Sequence, residues 1–182
     1  MTMDEGAGTS GPQGTRWLDA DEQQTWRAFM LSHLQLFEQF ERDLQADAGL
    51  PMAYYEILVR LSEAPERRLR MSDLAERSQS SRSRLSHAVA RLEESGWVRR
   101  ESCPTDRRGA VAVLTDAGFS ALEAAAPAHV ESVRTHLLDP LSPAQLASLR
   151  EISEVILAHL ADLGVVCPTA ADVPGPATSR PC

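Results

Sequence analysis

Between Ser81 and Leu92 the chain interleaves Arg82, Ser83, Arg84, Ser86, His87 and Arg91 with the apolar residues Leu85, Ala88 or Val89, and Leu92. At helical periodicity the apolar set shares one side, and the cations and hydroxyls share the other. A guanidinium fork grips a phosphate or a guanine edge with two parallel hydrogen bonds. Small hydroxyl residues donate to phosphates and let a helix backbone come close to its target. This spacing therefore points to recognition of a nucleic acid. Arg84 and His87, at i and i+3, are the candidates for base edges, and Ser81, Ser83 and Ser86 suit phosphates. Arginines on a helix face are commonly just solvated, and it is their coincidence with the serines that favours binding here.

A second set lies in the polar run Pro104 to Gly109, where Asp106, Arg107 and Arg108 precede a glycine that permits a turn. An arginine on a thin hairpin suits the concentrated negative potential of a narrow minor groove. Nothing else forms a catalytic or metal constellation. There is no glycine-rich phosphate loop, nucleophile elbow or paired-histidine motif, so no catalytic residue, cofactor or metal is expected. His129, His136 and His159 lack a completing cysteine or carboxylate. Cys103, Cys167 and Cys182 are odd in number and lack CxxC spacing, which indicates reduced thiols. Cys103, beside Arg99, Arg100, Arg107 and Arg108, leaves a thiol switch as an alternative.

These residues need a scaffold, and the pattern supplies one. Asp19 and Glu22 form a capping box that opens a long helix through Trp26, Met30, Leu34, Phe37 and Leu44 to near Gly49. Pro51 restarts a helix that stops before Pro65, and Arg68 to Met71 is extended at most. Ser72 is expected to cap a short third helix, Asp73 to Arg77, and Ser80 or Ser81 a fourth that Gly96 ends in a left-handed conformation. From Trp97 the period becomes two: residues 97–101 and 110–114 flank a turn, as in a β-hairpin. Thr115 and Asp116 open a fifth helix with Phe119, Leu122, Val130, Val133 and Leu137 on one face, bent at Pro127. Ser142 and Gln145 box the start of a sixth. A short helix, a turn, a second helix with a polar outer face and a charged hairpin make a winged helix-turn-helix. The fold class is α+β, mostly helical.

The net charge of −8 over 182 residues argues at first against nucleic acid. Resolved along the chain it does not. Residues 66–108 hold 11 Arg against 7 acids, a net of +4, and the remainder holds 7 Arg against 19 acids, a net of −12. All 18 cations are arginine. No apolar run reaches the roughly 18 residues of a membrane span, and Met1 to Thr15 lacks the features of a signal peptide, so a soluble cytoplasmic protein with no membrane partner is expected. Residues 1–15 and 164–182 read as disordered tails around one domain, 16–163.

The runs Met71-Ser72-Asp73-Leu74-Ala75, Arg91-Leu92-Glu93-Glu94-Ser95-Gly96-Trp97-Val98-Arg99-Arg100, Asp106-Arg107-Arg108-Gly109 and Val113-Leu114-Thr115-Asp116-Ala117-Gly118 resemble the multiple-antibiotic-resistance regulator (MarR) family. The D-x-R-G turn followed by V-L-T and, three positions on, a glycine is the most specific element. The resemblance implies a homodimer in which the first, fifth and sixth helices interlock, with the DNA-binding module at about 51–115 and dimerisation helices at about 19–48 and 116–163. It implies a regulator of transcription, a ligand-responsive repressor or an activator, binding double-stranded DNA through recognition helix 81–95 and wing 98–114. In the wing it assigns Arg108 to the minor groove and Asp106 to orienting it. Ser86-His87 stands where family members commonly have Thr-Arg. Dimerisation also follows from packing, because the terminal apolar stripes exceed what a small hairpin can cover. A two-fold protein implies a pseudo-palindromic site with half-sites about 34 Å apart. For a small-molecule effector the family's ligand position maps to segments holding Trp26, His33, Phe37, Tyr54 and Tyr55, residue types that serve equally as core. The first-helix cysteine of the family's peroxide sensors is missing. A winged module that binds only protein is the remaining alternative.

Overall fold

The computed structural model describes residues 14–78, 80–103 and 106–164, and of Cys103 and residues 106–108 the backbone alone. The expected tails at 1–15 and 164–182 lie almost wholly outside these residues. The chain divides into two units at Phe37 and Glu38. Helix α1 (Ala20–Ala48) opens the described fold, and its capping box forms: Glu22 N–H donates to Asp19 Oδ1 at 2.8 Å and Asp19 N–H to Glu22 Oε2 at 3.0 Å. The part of α1 in the first unit buries no side chain, and Trp26, Phe29, Leu34 and Phe37 remain at least half exposed or nearly so.

In the second unit follow α2 (Met52–Ser62), β1 (Arg68–Arg70), α3 (Met71–Arg77), α4 (Arg82–Glu94), β2 (Val98–Cys103), β3 (Asp106–Leu114), α5 (Asp116–Val133) and α6 (Pro143–Asp162). Leu44, Leu58, Leu61, Leu74, Leu85 and Leu92 are fully buried together, each contributing about 1.5–3 kcal/mol through removal from water. This core lies between the helices and one face of the sheet. The sheet has three antiparallel strands in the order β1-β3-β2 rather than a bare hairpin. Arg68, Leu69 and Arg70 pair with Val113, Ala112 and Val111. The loop at the wing tip is shorter than the polar run suggests, because β3 begins at Asp106, with a register shift between Ser102 and Cys103.

Two local expectations are corrected, at Ser72 and at Val130. Ser72 does not cap α3: the helix begins two residues earlier than expected, at Met71, with Arg70 as N-cap, and the Ser72 hydroxyl donates to Asp73 at 3.0 Å. Between α2 and β1 a 3-10 turn, Pro65–Arg67, places Glu66 and Arg67 at φ +53° and +54°. Two successive non-glycine residues there cost about 1–2 kcal/mol each. Arg67 offsets this by lying 3.8 Å from the Phe119 ring centroid and 3.3 Å from Asp116. Helix α5 runs continuously through Pro127, and a π turn, Arg134–Leu138, follows it. Val130, expected on the buried face, is 55% exposed.

Helix α6 has its capping box, with Gln145 N–H donating to Ser142 Oγ at 3.3 Å and Ser142 N–H to Gln145 Oε1 at 2.9 Å. It buries no residue: Ile152 and Val155 are 58% and 65% exposed. Asp43 of α1 accepts from Ser132 at 2.6 Å and lies 3.0 Å from His136, tying the end of α1 to the end of α5 and the π turn. No described helix is long and apolar enough to cross a membrane.

Candidate nucleic-acid interface

The turn between α3 and α4 closes on Ser81, whose hydroxyl accepts the backbone N–H of Arg84 at 3.3 Å as N-cap. That hydroxyl keeps its hydrogen for an acceptor such as a phosphate oxygen. Leu85, Val89 and Leu92 point into the core, as their spacing requires. Ser81, Arg82, Ser83, Arg84, Ser86, His87 and Arg91 are consequently all exposed. At the far end Gly96 sits at φ +73°, and its N–H and that of Trp97 donate to the carbonyls of Glu93 and Leu92, both at 2.9 Å.

The first turn of α4 carries no acid. Its N-terminal partial positive charge therefore adds to the field of Arg82 and Arg84. Pairing separates the module's cations into two sets. Arg91 is 2.8 Å from Glu94, Arg99 is 2.8 Å from Glu101, Arg100 is 3.1 Å from Glu93 and Arg68 is 3.0 Å from Glu101. Arg77, Arg82, Arg84 and His87 form no ion pair with any other described residue. The hydrogen bond that Arg91 donates to Glu94 shifts Arg91 further toward its charged form, but this exposed pair is weak enough to exchange for a phosphate.

Beside Ser86, β1, α3, α4 and the two hairpin strands line an open cleft of about 430 Å³, with Arg70, Arg82, Arg100, Ser72 and Ser86 among its lining residues. Arg70 and Arg100 were not among the sequence candidates. For Arg100 a signal existed, since strand alternation puts it on the same face as the buried Val98, toward α4. The wing candidates Asp106, Arg107 and Arg108 lie at the start of β3, and their side chains, like that of Cys103, fall outside the described residues.

The aromatic candidates divide between the two units. In the first, Trp26, His33 and Phe37 line one exposed row with Phe29, which sequence reasoning missed: ring centroids are 6.4 Å apart for Trp26–Phe29, 6.1 Å for Phe29–His33 and 4.6 Å for His33–Phe37. In the second, Tyr55 is a core residue 4.8 Å from the His129 ring, and burial raises its hydroxyl pKa. Tyr54 packs partly buried against the same core. No cluster of three or more potential metal ligands occurs among the described residues.

A sequence model of the MarR family matches residues 48–109. The HTH-type transcriptional regulator PecS of Dickeya dadantii is 36% identical over 78 residues, a match that spans 43% of this chain and only 46% of that regulator. Among solved structures, Sco3205, a MarR family transcriptional regulator from Streptomyces coelicolor crystallised in complex with DNA, is 50% identical, covers 82% of this chain and 93% of its own, and superposes with a TM-score of 0.76. AbsC, a MarR family regulator from the same organism, is 47% identical over 81% of this chain and 99% of its own, with a TM-score of 0.74.

Proposed function

Because the chain belongs to the MarR family, we propose that it is a cytoplasmic transcriptional regulator, not an enzyme, that binds double-stranded DNA as a homodimer and responds to a small-molecule effector. In this reading residues 51–115 form the DNA-binding module and 19–48 with 116–163 the dimerisation helices. The observation that carries it is the segregation of cations: the paired arginines lie on the strands and at the end of α4, and the unpaired Arg82, Arg84 and His87 face outward from its first two turns. A recognition helix enters the major groove by those turns. Arg84 and His87 then address base edges, Ser81, Ser83 and Ser86 address phosphates, and Arg108, oriented by Asp106, addresses the minor groove.

Homodimerisation is supported by α6, which exposes Ile152, Val155, Ile156 and Leu157 in a single chain. Apolar surface of this extent on a helix without buried residues calls for a partner. The operator is pseudo-palindromic, with half-sites about one helical turn apart. The effector represses or releases binding by favouring a dimer whose recognition helices no longer match that spacing, which requires different affinities for the two states.

The test is equilibrium binding of the purified chain to duplex DNA flanking its own gene across a salt series. Affinity for a two-fold sequence, falling steeply with salt as counterions are released, is expected. Absence of DNA binding, with salt-insensitive capture of a protein, would replace this reading with that of a protein-interaction module.

A further inference from the structure

Arg100 projects from β2 toward α4 and holds it at two places. Its Nη2 donates to the carbonyl oxygen of Ser86 at 2.6 Å, and its Nε lies 3.1 Å from Glu93 Oε2. Its backbone N–H donates to the other carboxylate oxygen, Glu93 Oε1, at 2.8 Å. Ser86 and Glu93 are two helical turns apart, about 10 Å along the axis. Rotation of α4 about its axis breaks the bond to the Ser86 carbonyl, and sliding along it breaks the pair with Glu93. The Arg100 and Glu93 side chains are only about a third exposed, 31% and 32%, so water competes less for these bonds than at an open surface. Ser86 lies between Arg84 and His87, so the point held is the part of α4 that faces outward with them.

We propose that Arg100 and Glu93 are positioning residues for sequence recognition: without reading bases themselves, they lock the roll of α4 to the hairpin, so that helix and wing meet their two grooves in one register. This rests on the DNA-binding reading above. A helix free to roll would keep its charge near the phosphates and lose the alignment that base contacts demand. Specificity, rather than general affinity, is therefore what the brace supplies.

The experiment compares the full-length wild type with Glu93→Gln, Arg100→Lys and the double variant, on a duplex the wild type selects from a random-sequence library and on the unselected pool. Glu93→Gln removes a negative charge beside the DNA, so electrostatics alone predicts tighter binding. The brace predicts the reverse. Each single variant should lose about tenfold on the selected duplex and bind the pool like the wild type, and the double variant should lose no more than the worse single, because both disable one device. Equal losses on both DNAs, as a direct phosphate contact or a smaller folded fraction would give, overturn the proposal, as does undiminished binding by Glu93→Gln. If Arg100→Lys fails to fold, Glu93→Gln decides by itself, since it preserves the side chain's shape. A wild type that selects no sequence removes the DNA reading and the brace with it, whereas variants that match a binding wild type remove the brace alone.

Discussion

Gly118 abuts the carbonyl of Trp97 so closely that a Cβ on the glycine would overlap its oxygen and press on Leu114. Thr115 seals the same junction: its hydroxyl accepts the N–H of Gly118 at 3.0 Å and lies 2.7 Å from the carbonyl oxygen of Gly96. The end of α4, the end of β3 and the start of α5 thus meet at one point. Gly118→Ala should destabilise the fold by about 1–3 kcal/mol, because the overlapped atom is backbone and cannot swing away. Urea unfolding measures this, and an unchanged midpoint would contradict the packing described.

On the outward face of α4, Arg84→Ala should weaken binding to the selected operator by about 1–3 kcal/mol while leaving unselected DNA bound nearly as before. Arg82→Ala should lower both affinities together and reduce the salt slope by about one. A competition assay at several salt concentrations distinguishes the two. Equal losses for Arg84→Ala would remove it from the base-reading set.

For the dimer, sedimentation of the wild type should give twice the chain mass. Ile152→Asp combined with Val155→Asp places charge on the exposed apolar face of α6 without touching the buried core. The doubly substituted chain should sediment as a monomer, retain its helical circular dichroism and lose operator affinity. A wild type already monomeric at micromolar concentration would exclude the homodimer.

Acid should act through His129, which lies between Phe40 and Tyr55 at ring-centroid distances of 6.1 and 4.8 Å. Burial lowers its pKa below the ordinary 6.5. The unfolded chain therefore takes up the proton more readily, so this contribution is complete above about pH 6.5 and is lost as pH falls from there through the lower folded value. Melting temperature should drop between about pH 7 and pH 5, and His129→Phe should flatten the profile. Asp43 acts in a lower window. Its hydrogen bond from Ser132, with smaller help from Gln39 and His136, holds its carboxyl below the ordinary 3.8 despite its desolvation, so its contribution is present above that value and disappears as pH falls through the folded one.

What could be read from sequence was what is local. The capping boxes at Asp19 and Ser142, the left-handed Gly96 and the stripe Leu85, Val89, Leu92 each depend on residues within a few positions of one another, and each forms. Ser72 shows the limit even of local rules: Asp73 competes for its hydroxyl, and α3 starts two residues earlier. Arg68 to Met71 reads as extended at most, and its pairing as β1 is not legible, because three residues have no period and the partner on β3 lies more than forty positions away. Val130 has the right spacing for the core yet is exposed, because periodicity assigns a face without saying whether the same chain covers it. On α4 the polar residues are exposed as their spacing requires; strand alternation points Arg100 toward α4, but its bond to the main-chain carbonyl of Ser86 is encoded by no side-chain pattern.

Strand β3 spans nine residues from Asp106 to Leu114, about 30 Å at strand rise, and next to its far end Thr115 N–H is bonded to the Trp97 carbonyl at 3.0 Å. Mechanically it is a lever whose fulcrum lies where β1 pairs with Val111 to Val113. A tilt of about five degrees at the fixed end carries the tip through roughly 2 Å, which is enough to unmake a hydrogen bond. A rotation of β3 about that fulcrum would therefore move the wing tip farther than the start of α5, because the tip lies on the longer arm.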